Sequence, residues 1–126
     1  MIRWEAHTCL PLHPDASFAP LDAYRAAGVS YVCLNVGMDM NPLQQILPVI
    51  AAFRARLQAQ PARYRLVHRV DDIERAQAAG QLAVGFDLEG SLPLLEQPEM
   101  VALYRDLGVR QMHFAYNRNL SLIHIS

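Results

Sequence analysis

The sequence predicts an α/β fold of parallel strands joined by crossover helices, and within that class a (β/α)8 TIM barrel cut off after about the fifth strand. Three observations carry the expectation. Strand-like and helix-like segments alternate strictly along the 126 residues, with no composition break or linker between them. Strand faces are unequal: Ile2, Trp4 and Ala6 alternate with Arg3, Glu5 and His7, and Val84, Phe86 and Leu88 alternate with Ala83, Gly85, Asp87 and Glu89. Polar residues also gather at strand ends, where barrel sites are built. A doubly wound five-strand sheet is the competing architecture; it needs no further chain but favours apolar runs on both faces. A whole barrel takes about 250 residues, so the barrel reading makes this chain half of one domain.

Strands are expected over 2–7, 29–36, 64–70, 82–88 and 109–116. In the second, Val29-Ser-Tyr-Val-Cys-Leu-Asn-Val36, β-branched and aromatic residues are dense and a glycine stands at either end. Helices are expected between them. The first, over 20–27, stops at Gly28, and the fourth, over 98–107, stops at Gly108. The second runs over 42–60, with Asn41 as N-cap, Pro42 at the first helical position, and Leu43, Ile46, Leu47, Ile50, Phe53 and Leu57 as its apolar face. Pro48 should kink it or mark its true start. The third, over 70–79, offers an Asp cap and stops at Gly80.

Composition excludes several classes of function. A formal charge of −1 and scattered arginines leave no basic stripe for nucleic acid. No apolar run spans a membrane, and the opening MIRWEAH lacks the basic start and apolar core of a signal peptide, so a cytoplasmic protein is expected. Cys9 and Cys33 fall in strand-like segments and read as reduced thiols.

Candidate chemistry lies at three strand ends. His7 and Cys9 are two apart, so a strand period puts both on one side, as a pair of metal ligands requires. Asp87 and Glu89 end the fourth strand before Gly90, which permits close backbone approach. Asp87 is read as structural, answering Arg3 across the barrel floor; Glu89 is open to either a salt bridge or a site. Tyr116 and Asn117 follow the fifth strand and could touch a substrate, although such clusters also cap loops. His13, His68 and His113 read as loop or strand residues with ordinary partners. No phosphate loop, nucleophile elbow or paired-cysteine motif is present.

The stretches AGQLAVGFDLEGSLPLL and LYRDLGVRQMHFAYNRN resemble the membrane (renal) dipeptidase family of zinc peptidases, in which a strand ending Glu-Gly precedes a helix and a Leu-Gly-Val-Arg strand. His7, the long second helix and VDDIERAQAAG fall in the corresponding order, so the likeness covers roughly residues 1–119. It implies a barrel with a two-zinc centre that hydrolyses dipeptides, commonly with a D-residue at the carboxyl side. Under it Glu89 matches the carboxylate that bridges the metals and His7 the first histidine ligand. Two positions depart from the family. His7-Thr8-Cys9 stands where the first motif is His-x-Asp, and Tyr116 stands where many members have a substrate-contacting histidine.

The ending LSLIHIS departs from the family pattern and looks like translated sequencing-adapter DNA, so residues 120–126 are expected to be non-native and His124 is set aside. The expectation is then an inactive fragment of a zinc-dependent dipeptidase, with a dipeptide as its partner and room for a homodimer in the intact parent. A non-catalytic pseudoenzyme or binding protein on the same barrel, or a small doubly wound ligand-binding domain, are the other readings.

Overall fold

The computed structural model describes residues 1–113. Five strands alternate with four helices: β1 (Trp4–Thr8), α1 (Ala19–Ala26), β2 (Tyr31–Met38), α2 (Leu43–Gln58), β3 (Tyr64–Leu66), α3 (Asp71–Ala78), β4 (Leu82–Glu89), α4 (Met100–Leu107) and β5 (Val109–His113), with a short 3₁₀ turn, Leu92–Leu94, after β4. All pairings are parallel. This is the α/β class that strict alternation predicts.

β4 is the centre of the sheet, and every residue in it is buried. Alternate amides of a parallel strand point to opposite edges. The Ala83 N–H donates to Ser30 O on the β2 side, whereas Leu82 and Phe86 donate to Arg63 O and Gly108 O on the other. β2 thus follows β4 along one whole edge. Along the other, β3 pairs with Leu82–Val84 and β5 takes over from Phe86 to Glu89.

One face of the sheet is the main core. Val32, Leu34 and Val36 of β2 and Leu82, Val84, Phe86 and Leu88 of β4 meet Leu21 of α1, Tyr104 of α4, and Ile46, Val49, Ile50, Phe53 and Leu57 of α2. On the opposite face, Tyr31, Cys33 and Ala83 pack with Val67 and with Ala76 of α3. That covers only the start of the strands. Towards their carboxyl ends the same face carries Asn35, Asp87 and Glu89, so the unequal faces read in the sequence are real for β4.

For β1 the alternation breaks. Trp4 lies opposite Tyr31 and Glu5 opposite Val32, but Thr8 lies opposite Leu34, so β1 holds one residue more than its partner over this stretch. The bulge turns Thr8 towards the core and His7 to the side that Trp4 occupies. The expected separation of Trp4 from His7 is therefore corrected. Trp4 is 68% exposed and meets only the Tyr31 ring among the described aromatic contacts, and among the described residues β1 pairs with β2 alone.

Other boundaries also move. α2 starts at Leu43 with Pro42 in the N-cap position, and the Asn41 carboxamide instead accepts from Met38 N and donates to Gln45. The helix continues through Pro48, and its buried face uses Val49 where Leu47 was expected; Leu47 is 42% exposed. β3 ends at Leu66 rather than residue 70, because one Asp72 carboxylate oxygen accepts from both His68 N and Arg69 N and turns the chain into α3. Gly28 and Gly108 end their helices with positive φ, as expected.

Candidate metal centre

The site forms where β1, β4 and β5 end on the partly polar face. Register shifts set its members. Between Phe86 and Asp87 the β5 partner advances from Val109 to Gln111, which places Gln111 opposite Asp87 and His113 opposite Glu89. The bulge in β1 brings His7 over the same two carboxylates.

His7 is held at both ring nitrogens. Nδ1 is 2.8 Å from Asp87 Oδ2 and Nε2 is 2.6 Å from Glu89 Oε1. The Cys9 thiol lies 3.4 Å from the same Nε2. A nitrogen of His7, the sulfur of Cys9 and an oxygen of Glu89 all lie within 4.8 Å of one another. Burial lowers the His7 pKa, but the hydrogen bonds and charges of Asp87 and Glu89 outweigh it and raise the net value. Burial, then the charges of Glu89 and Asp87, push the Cys9 thiol up, so without a cation it stays protonated.

Asp87 is fully buried and does not pair with Arg3; that expectation is corrected. Its second oxygen accepts from Asn35 Nδ2 at 2.9 Å, and the same amide nitrogen reaches Gly37 O at 3.1 Å. The Cys33 thiol also meets Asp87, and burial followed by that carboxylate's charge pushes its pKa up to about 12. Cys33 is thus an inert buried thiol, and both cysteines are free.

Glu89 is 4% exposed, and its Oε2 is buried with no hydrogen-bond partner among the described residues. Leaving a carboxylate oxygen in this state costs free energy unless a cation or donor meets it. Asp39 secures the turn that follows. Its N–H donates to Glu89 O, its Oδ1 accepts from Leu92 N, and its carboxylate occupies the space a side chain at Gly90 would need.

His7, Cys9 and Glu89 therefore lie together, and nitrogen, sulfur and oxygen donors around a carboxylate oxygen that has no partner among the described residues suit a divalent cation. Tyr116 and Asn117 lie outside the described residues. Asn35 and Asp39 were not foreseen. His113 was, but only as an ordinary strand residue; its ring centroid is 5.6 Å from that of His7 and it contacts Gln111. His13 and His68 stand apart, the former near Asp15 and the latter giving its amide to Asp72.

No curated protein matches the sequence. Among solved structures, an amidohydrolase from Pseudomonas aeruginosa superposes with a TM-score of 0.82 at 18% identity, over 94% of this chain and 35% of that one. The probable dipeptidase PvdM from the same organism superposes with a TM-score of 0.75 at 17% identity, over 94% of this chain and 36% of that one. These likenesses establish the fold, a parallel α/β arrangement shared with part of each of those proteins, and the chain spans about a third of the length of either. No helix among the described residues is long and apolar enough to cross a membrane. The sequence itself matches the membrane dipeptidase family, peptidase family M19, over residues 25–122, and with most of its length inside that match the chain belongs to this family.

Proposed function

We propose that this chain is the first half of a zinc-dependent dipeptidase and that the strand ends of β1 and β4 supply part of its metal centre. The observation that carries the reading is the convergence of His7, Cys9 and Glu89 within 4.8 Å beside a buried Glu89 oxygen that has no partner among the described residues. When bound, a zinc pair supplies an activated water near neutral pH and polarises the scissile carbonyl. Glu89 is suited to bridge, because it offers two oxygens and a negative charge that offsets the repulsion between cations. His7 offers Nε2. Cys9 would offer a thiolate where a nearby cation offset the effect of burial and of the Glu89 and Asp87 charges, which raise its pKa.

On this proposal residues 1–119 are native, residues 120–126 are not, and the remaining ligands lie in chain beyond this half, so the 126-residue chain alone is inactive. Tyr116 and Asn117 are proposed to contact the dipeptide. The parent is proposed to act in the cytoplasm, to bind no nucleic acid, and to admit a homodimer. The test is to strip the parent of metal with a chelator and measure Gly-D-Ala and Ala-Ala hydrolysis before and after zinc is returned. Activity lost and then restored by zinc supports the proposal; hydrolysis indifferent to metal refutes it. One observation favours a second reading, a non-catalytic binding protein on the same fold: Cys9 stands where the family motif has a carboxylate, and its raised pKa disfavours the free thiolate. A parent that binds zinc and dipeptide without turnover would establish it.

A further inference from the structure

We infer that Asp87 is a positioning residue for the metal centre: it holds the His7 ring through Nδ1 so that Nε2 faces Cys9 and Glu89. This rests on the proposed metal-binding role of His7. Three features of the geometry carry it.

First, the two ring nitrogens have different surroundings. Nδ1 points to Asp87 Oδ2 at 2.8 Å, whereas Nε2 points to the side where both the Cys9 sulfur, at 3.4 Å, and Glu89 Oε1, at 2.6 Å, are found. A ligating histidine binds a cation through one nitrogen, and a hydrogen bond at the other fixes which one.

Second, Asp87 is itself fixed. It is fully buried, Asn35 donates to its other oxygen at 2.9 Å, and Asn35 is tied in turn to the backbone at Gly37 O. Rotating the Asp87 carboxylate away would break these bonds inside the sheet.

Third, a purely structural salt bridge does not account for the arrangement. Asp87 lies on the central strand, where an apolar residue would pack, and no arginine meets it in an ion pair among the described residues. Its one charged partner among the described residues is a histidine that is only partly buried and that turns its opposite edge to the site.

The test uses the parent protein with ring-¹⁵N-labelled histidine, His7 being assigned through a His7→Gln variant. In the zinc-loaded parent the account expects a protonated, slowly exchanging Nδ1 on His7 and a coordinated Nε2. Asp87→Asn should lower zinc affinity by about 10- to 100-fold and speed exchange of the Nδ1 proton. Asn35→Ala should move both readouts the same way by less. Zinc on Nδ1, or an Asp87→Asn variant with unchanged affinity and exchange, overturns the inference. Should the parent bind no zinc, the metal reading fails. The neutral ring in the metal-free parent then still decides the orientation: an Nδ1–H tautomer upholds it and an Nε2–H tautomer overturns it. That readout comes from the unmutated protein and needs no variant to fold.

Discussion

At the scale of single residues, the site depends on a few side chains that have almost no freedom. Gly90 is the plainest case, since its φ is 127° and a side chain there would collide with the Asp39 carboxylate. Gly90→Ala should cost on the order of 3 kcal/mol, combining a disfavoured backbone conformation with the displacement of Asp39. Chemical denaturation of the two proteins measures this, and equal midpoints would show that the turn relaxes freely. His7, Cys9 and Glu89 were legible because they are polar residues at strand ends, where apolar patterning stops. Asp87 was misread for a physical reason. Assigning it to Arg3 assumed unbroken alternation in β1, and a bulge leaves no mark in a five-residue stretch. Asp39 gave only a weak signal, an acid just past a buried strand in a segment resembling an ordinary turn.

At the scale of elements, β3 and α3 show how one side chain sets a boundary. The Asp72 carboxylate accepts two backbone amides ahead of α3, so Asp72→Ala should destabilise by about 1 kcal/mol, the usual worth of a helix-start acceptor. Burial disfavours the Asp72 anion, but the His68 and Arg69 amides outweigh it and hold its pKa below the ordinary value. Because the folded value is the lower one, this stabilisation is fully present above the unfolded pKa of about 3.9 and is lost as pH falls through the folded value. The gap in urea midpoint between parent and Asp72→Ala should therefore be constant near neutrality and close at acid pH; a gap that widens on acidification would contradict the assignment. The glycine stops of α1 and α4 were readable because Gly28 and Gly108 adopt the left-handed conformation that only glycine accepts easily. The extent of β3 was not. Its apolar run suits either strand or loop, and the Asp72 hydrogen bonds that end it come from a residue beyond the run.

At the scale of the whole molecule, strict alternation and the unequal faces of β4 pointed to the barrel class, and the superpositions place the chain in the same fold as part of two longer proteins. The sequence could not reveal that β3 and β5 share one edge of β4, since patterning gives faces and not neighbours. Among the described residues β1 pairs with β2 alone, and Ile2, Trp4, Val70, Val101 and Leu103 are exposed. Exposed edge strands and apolar side chains favour association. The 126-residue chain by itself should thus sediment as aggregates or a broad mixture, whereas a monodisperse monomer with a sharp two-state melt would favour the self-sufficient doubly wound reading. Whether Glu89 helps to hold a metal pair, as proposed, is decided by zinc content measured beside dipeptide turnover in Glu89→Gln of the parent. Gln keeps the shape but carries no charge and one acceptor oxygen, so bound zinc should be lost and turnover should fall at least about 100-fold, more than in Asp87→Asn. Two zinc ions retained with near-parental turnover would contradict the proposal.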